Sequence, residues 1–218
     1  FAAVRQIQNP VIAAALQVML LTGARPGEVL DMQWDDVNTQ WKGLTIRDKV
    51  EGERVIPLTP YVAQLLAALP RRNQWVFSST RLLAQDEANI RRRERKADRR
   101  GTAAPLGDIL ETSASGRITK PNTPHTRACK VAGIGGLTLH GLRRSFASLT
   151  EWLEIPAGVV AQIQGHKPSA TAEKHYKRRP LDLLRLHHER IEAWILEQGK
   201  VPFVVDAEPG KLRVVASA

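Results

Sequence analysis

Tyr176 is one of only two tyrosines in the chain, and it closes an ordered series of residues suited to holding a phosphodiester. The series runs TGARPGEVL over 22–30, Lys49, LHGLRRSF over 139–146 and QGHKPSATAEKHY over 164–176. A phosphodiester under attack gains charge on its non-bridging oxygens. Arginine is suited to that charge, because its fixed fork of donors pairs bidentately with phosphate and stays ionised. Arg25 and Arg143 are the candidates, with Glu28 one turn after the first and His140 one turn before the second. A phenol has an ordinary pKa of about 10, so Tyr176 needs cationic neighbours or a proton acceptor to attack at neutral pH, and the arginines and histidines supply them. The departing sugar oxygen needs a proton, which a lysine crowded by other cations can give. Lys49 is the candidate acid, flanked by Arg47 and Arg54, and His166 is placed to donate to a non-bridging oxygen or to handle the phenol proton. The chemistry implied is DNA strand transfer.

Each residue alone has a plainer reading. Arg143 would be a surface arginine, His140 a capped or core histidine, Lys49 a solvated hairpin lysine, and His166 a cap on the helix that starts near Pro168. The conjunction in chain order carries the argument. Tyr61 opens the helical run VAQLLAAL and reads as a packing residue rather than a second nucleophile.

The elements that must position these groups are legible from period and punctuation. A helix is predicted over 10–22, opened by Pro10 and closed by Gly23, and a short second helix begins at Pro26, so Arg25 falls at a helix junction. WKGLTI (41–46) and RVIPLT (54–59) read as a hairpin with its loop near Gly52, carrying Lys49. A helix over 60–69 and a strand or extended piece at WVFSS (75–79) follow. The second half reads as helices over 121–132, 139–151, 157–164, 168–176 and 181–197, each bounded by Gly or Pro. Within 139–146, the i, i+3 spacing puts His140 and Arg143 on one face to meet phosphate, and Leu142 and Phe146 toward the core. In the tail, VPFVV and KLRVV are candidate strands that need a partner surface.

Composition sets outer bounds. The chain has 218 residues, enough for one substantial core, with 43% hydrophobic content and 32 basic against 22 acidic residues. The resulting +10 charge and pI near 10.2 favour a polyanionic partner. The best apolar run, VIAAALQVMLL (11–21), is shorter than the roughly 18 residues that span a bilayer. A single cysteine, Cys129, excludes an internal disulfide framework and a cysteine metal cage, and suits a reducing cytoplasm. A start at Phe1 without a signal-peptide pattern reads as part of a longer cytoplasmic protein. Residues 81–100 hold eight basic and four acidic side chains. Arg91, Arg92, Arg93, Arg95, Lys96, Arg99 and Arg100 are read as an arm tracking DNA phosphates, within an insertion of about 81–116; the bland alternative is a solvated charged excursion.

TGARPGEV, KVEGERVIPL, HGLRRSF, GHKPSATAEKHY and RRPLDLLRLHHERIEAWIL together resemble the catalytic domain of tyrosine recombinases of the phage and prophage integrase type, over most of 1–200. The resemblance implies a mainly α (α+β) fold, a helical catalytic domain over 1–198 with a small antiparallel β-sheet, followed by the tail 199–218. It implies that Arg25, Lys49, His140, Arg143, His166 and Tyr176 are the six catalytic positions. It further implies site-specific integration or excision of a mobile element through a 3′-phosphotyrosyl link, without metal or other cofactor. The implied partners are attachment-site duplexes bound by four protomers, with DNA-bending accessory proteins, in the nucleoid of a bacterial cytoplasm. Amino-terminal DNA-gripping domains belong to the family and are not in this chain. Two departures stand out, the 81–116 insertion and a His166 to Tyr176 interval about one residue longer than in many members. Type IB topoisomerase chemistry and a non-catalytic DNA-binding prophage remnant are the competing classes.

Overall fold

The computed structural model of the chain describes residues 1–48, 52–79, 95, 99, 116–166 and 179–203. Among the described residues its α-helices include α1 (Ala2–Arg5), α2 (Pro10–Thr22), α3 (Pro26–Leu30), α4 (Pro60–Ala67), α5 (Asn122–Val131), α6 (Leu139–Glu151), α7 (Ala157–Gln164) and α8 (Leu181–Gln198). The strands β1 (Val37–Asn38), β2 (Gly43–Asp48) and β3 (Gly52–Pro57) form one antiparallel sheet in the order β1-β2-β3. The molecule is mainly helical with a small antiparallel sheet, as expected from the sequence.

The central element is α2. Its sequence PVIAAALQVMLLT is apolar on nearly every face, so it forms a core helix rather than an amphipathic one. Asn9 caps its start, with Oδ1 accepting from the Val11 and Ile12 N–H groups, and Pro10 occupies the first turn, where no backbone donor is lost. The helix ends at Gly23, whose φ of 60° is the left-handed region. A side chain there would also meet the Phe146 ring, 2.6 Å from an added Cβ, so the glycine lets α2 and α6 close on each other.

The hairpin lies about two residues nearer its turn than predicted. Gly52, φ 86°, is the first residue of β3 rather than the loop centre. Ile46 pairs with Arg54 and Leu44 with Ile56, so Leu44, Ile46, Asp48, Arg54 and Ile56 share the inward face. WVFSS does not form the continuous strand or extended piece expected: Gln33 bridges Trp75 and Ser78 bridges Arg117, with a turn at 76–77 between the two bridges. The tail is corrected in part, because 201–203 pack without forming a strand. Val201 is buried, and Phe203 meets Tyr61 edge to face at 5.1 Å between centroids. The remainder of the tail and the whole predicted 168–176 helix lie outside the described residues.

Two buried ionisable groups on α8 tie the layers together. Glu192 accepts from the Tyr61 N–H at 2.8 Å, from the Val62 N–H at 3.2 Å and from the Thr59 hydroxyl, so α8 caps α4 from across the sequence. Burial nonetheless pushes its carboxyl above the ordinary range. His188 is fully buried, and with its ring neutral Nε2 donates to the Leu21 carbonyl at 2.8 Å. Burial lowers its pKa from 6.5 to about 4.

The sign of the His188 shift gives a testable pH dependence. Between pH 6.5 and about 4 the unfolded chain binds a proton that the folded chain refuses, so stability is complete above 6.5 and falls as pH drops through this window. Two to three pKa units correspond to about 3 kcal/mol. Urea unfolding at pH 7.5 and pH 5, which crosses part of this window, is expected to show about 2 kcal/mol of the loss, and His188→Gln, which keeps a donor for Leu21, is expected to flatten most of it.

Candidate active site

Arg143 lies on α6, whose start is set by Thr138, with Oγ1 accepting from the Gly141 N–H at 2.9 Å. Its side chain is not a surface arginine: the residue is 5% exposed. The guanidinium Nη1 donates to the Gly23 carbonyl and to the Gln164 carbonyl, each at 2.8 Å. Gln164 returns the contact, its Nε2 donating to the Arg143 carbonyl at 2.8 Å. Gly23 lies two residues before Arg25, and Gln164 two residues before His166. Arg143 is therefore the point where the TGAR turn and the QGH turn meet. Among the described residues, its Nε and Nη2 make no hydrogen bond.

The charge on Arg143 is poorly compensated. Burial, then the nearby charge of Arg25, lower its pKa to about 10, with Arg54 adding to the effect and Glu28 and Asp48 opposing it. It remains a cation at neutral pH. A buried cation held by carbonyl dipoles, with no carboxylate bonded to it among the described residues, is costly in the empty fold and is stabilised when an anion arrives.

Arg25 precedes α3 in extended conformation, and Pro26 fixes the first helical residue. Its N–H donates to Glu28 Oε2 at 2.8 Å, and its Nη1 donates to Glu28 Oε1 at 2.8 Å and to the Asp48 carboxylate. The expected partnership of Arg25 and Glu28 is thus formed. Burial alone would raise the Glu28 carboxyl, but hydrogen bonds from Arg54 and Arg25 outweigh it and hold the group below the usual carboxylate range.

His140 is exposed in the first turn of α6. Arg143, three residues on, is instead buried against the ends of α2 and α7, so the two differ in depth along one helix. His166 is exposed just past α7, and its N–H closes the helix end on Ala161 O at 2.8 Å. Lys49 and Tyr176 lie outside the described residues, as do Arg91, Arg92, Arg93, Lys96 and Arg100. Arg95 and Arg99 are exposed. Tyr61 is a packing residue, as expected: it is buried, its hydroxyl donates to Gln17 Oε1 at 2.7 Å, and burial raises its pKa.

Sequence reasoning missed Arg54 and Asp48 as members of the site. Arg54 Nη2 donates to Glu28 Oε2 at 2.8 Å, Nη1 donates to Glu28 Oε1 at 3.1 Å, and Nε donates to the Ile163 carbonyl at 3.1 Å. Strand alternation was the signal, because Arg54 shares the face of buried Ile56. Beside Arg25 opens a groove of about 560 Å³, whose lining includes Arg47, Asp48, Arg117 and Lys120.

The phage integrase family profile matches residues 2–180. The chain is similar to prophage integrase IntF of Escherichia coli (strain K12), 46% identical over 208 residues, covering 92% of this chain and 38% of that protein. It is also similar to tyrosine recombinase XerD of Mycobacterium tuberculosis, 28% identical over 165 residues, covering 73% of this chain and 45% of that protein. The chain thus spans less than half the length of these relatives. Among solved structures, the integrase from mycobacterium phage Brujita aligns with a TM-score of 0.58 at 16% identity, covering 87% of this chain and 55% of that one. XerH site-specific recombinase bound to difH substrate aligns with a TM-score of 0.52 at 17% identity, covering 84% and 48%. Both share the fold.

Proposed function

The chain belongs to the phage integrase family, and from that premise we propose that it carries the strand-cleaving and rejoining chemistry of a site-specific DNA recombinase. The observation that carries the reading is the buried guanidinium of Arg143, bonded through Nη1 to the Gly23 and Gln164 carbonyls, with Nε and Nη2 making no hydrogen bond among the described residues. Such a pocket suits the non-bridging oxygens of a scissile phosphate. Tyr176 Oη attacks the phosphorus, the bond to the 5′ oxygen breaks, and Lys49 protonates that oxygen. The products are a 3′-phosphotyrosyl link and a free 5′-hydroxyl, which then attacks the link on a partner strand. His140 and His166 serve the phenol proton or a non-bridging oxygen.

The described neighbours of the two outlying candidates support these roles. Asp48, which precedes Lys49, bonds Arg25. Arg179, three residues beyond Tyr176, is held to α7 by Gln162, which accepts its N–H at 3.1 Å and donates to its carbonyl at 2.9 Å. Three residues of extended chain span at most about 11 Å, so a nucleophile at 176 is tethered to the helix whose end carries His166.

The partners in this reading are attachment-site duplexes, four protomers across two duplexes, and DNA-bending accessory proteins, with action at the nucleoid in the cytoplasm. The test is a strand-exchange assay on two distinguishable duplexes carrying the junctions of the encoding element. Recombinant products joining the two are expected; relaxation of supercoiled DNA with no joint product would instead support a topoisomerase.

The basic insertion rests on a closed base. The Ser79 N–H donates to Gly116 O at 2.9 Å and the Ile118 N–H donates to Phe77 O at 2.9 Å, so the chain leaves and returns at one point. Replacing 80–115 by a two-residue link is expected to leave the melting temperature within a few degrees. If the arm tracks phosphates, the slope of log affinity against log salt falls by roughly 3 to 5, at about 0.9 per neutralised phosphate. An unchanged slope would leave the insertion inert in DNA binding.

A further inference from the structure

Arg54 makes contacts that no solvated hairpin arginine needs. Its side chain is 16% exposed, and its fork spans three elements: it rides on β3, grips both oxygens of Glu28 on α3, and donates to the Ile163 carbonyl near the end of α7. Gly165 makes room for it. An added Cβ there would fall 2.7 Å from Arg54 Nη1, and the φ of 74° at Gly165 independently disfavours a side chain. The guanidinium therefore packs against the turn that leads directly into His166.

These bonds join two arginines that do not bond each other. Glu28, held by Arg54, takes the N–H and Nη1 of Arg25. On the other side, the residue after Ile163 is Gln164, whose carbonyl and amide bracket Arg143. One polar path thus runs from Arg25 through Glu28 and Arg54 to the end of α7 and on to Arg143. A shift of β3 would move Asp48 on the paired strand, and with it a second contact of Arg25.

Resting on the strand-cleavage reading above, we propose that Arg54 is a positioning residue for that reaction: through Glu28 and the Ile163 carbonyl it sets Arg25, the His166 turn and the hairpin in register with Arg143. It touches no reacting atom and acts through the groups that do. Lysine is a poor substitute, since a point charge can meet Glu28 or the Ile163 carbonyl but lacks the fork that meets both.

The experiment measures single-turnover formation of the covalent protein-DNA adduct on a saturating nicked duplex, beside duplex affinity and thermal unfolding, for the parent chain, Arg54→Ala, Arg54→Lys and Arg54→Ala combined with Arg25→Lys. The adduct rate is expected to fall roughly 100-fold in Arg54→Ala, the scale of a displacement of about 1 Å at a reacting centre. Arg54→Lys is expected to lose roughly tenfold, with duplex affinity within about threefold of the parent. In the Arg25→Lys background the Arg54→Ala loss shrinks, because residues acting through one network are not additive. A rate within about threefold of the parent in folded Arg54→Lys and Arg54→Ala, or full multiplication of losses in the double variant, overturns the proposal. If Arg54→Ala does not fold, Arg54→Lys decides. No adduct from the parent chain sinks the cleavage reading as well; a parent adduct indifferent to Arg54 sinks only this one.

Discussion

Arg143→Ala is expected to slow strand cleavage by roughly 10³-fold, the upper scale for loss of a preorganised donor to a developing oxyanion, while the chain stays folded. The reason is the setting of this side chain. It is buried, its pKa is depressed by burial and by Arg25, and its Nη1 is occupied by two backbone carbonyls. Positioning is thus complete before substrate arrives, and the open donors need no reorganisation to meet a phosphate. Truncation leaves the Gly23 and Gln164 carbonyls without this donor, at about 1–3 kcal/mol for a buried group, but also removes a desolvated cation. The two effects oppose each other, so unfolding in urea should move far less than the cleavage rate. Arg143→Lys is expected to recover only part of the loss, because one ammonium cannot hold both carbonyls and a phosphate. A cleavage rate near the parent's in either variant would show that the buried guanidinium serves the fold alone.

Tyr176→Phe is the second large effect. Removing the phenol oxygen removes the atom that forms the bond to phosphorus, so no covalent adduct can form through this residue, and duplex binding should persist because the cationic pocket is intact. Tyr61 offers no substitute, since its hydroxyl is committed to Gln17 in the core and burial raises its pKa. The expected result is complete loss of adduct with affinity within about threefold of the parent, measured by denaturing gel and by duplex titration.

Much of this architecture is written locally. The helices 10–22, 139–151 and 157–164 were readable to the residue because Pro10, Thr138, Pro156, Gly23 and Gly165 punctuate them chemically. The hairpin slipped by two residues because Gly52 was read as a loop centre, when its positive φ instead opens a strand. The pairing of Glu28 with Arg25 was legible because the partners are three residues apart, at a helix start. The burial of Arg143 was not, since its helical position relative to exposed His140 says nothing about α2 and α7 closing over it. Arg54 sits at the boundary between these cases. Alternation with Ile56 marked its inward face, but its partners Glu28 and Ile163 come from elements 26 and 109 residues away. Glu192 capping α4 and His188 bonding Leu21 are likewise contacts between distant segments that no local pattern encodes.

The most direct measurement is the identity of the residue that carries DNA after cleavage. The parent chain is incubated with a nicked suicide duplex carrying the element's junction, the denaturant-resistant adduct is digested with protease and nuclease, and the remaining nucleotide is located by mass spectrometry. A 3′-phosphate on Tyr176 and no adduct from Tyr176→Phe are expected. A nucleotide on Tyr61 or on any other residue, or an adduct that survives Tyr176→Phe, would contradict Tyr176 as the nucleophile.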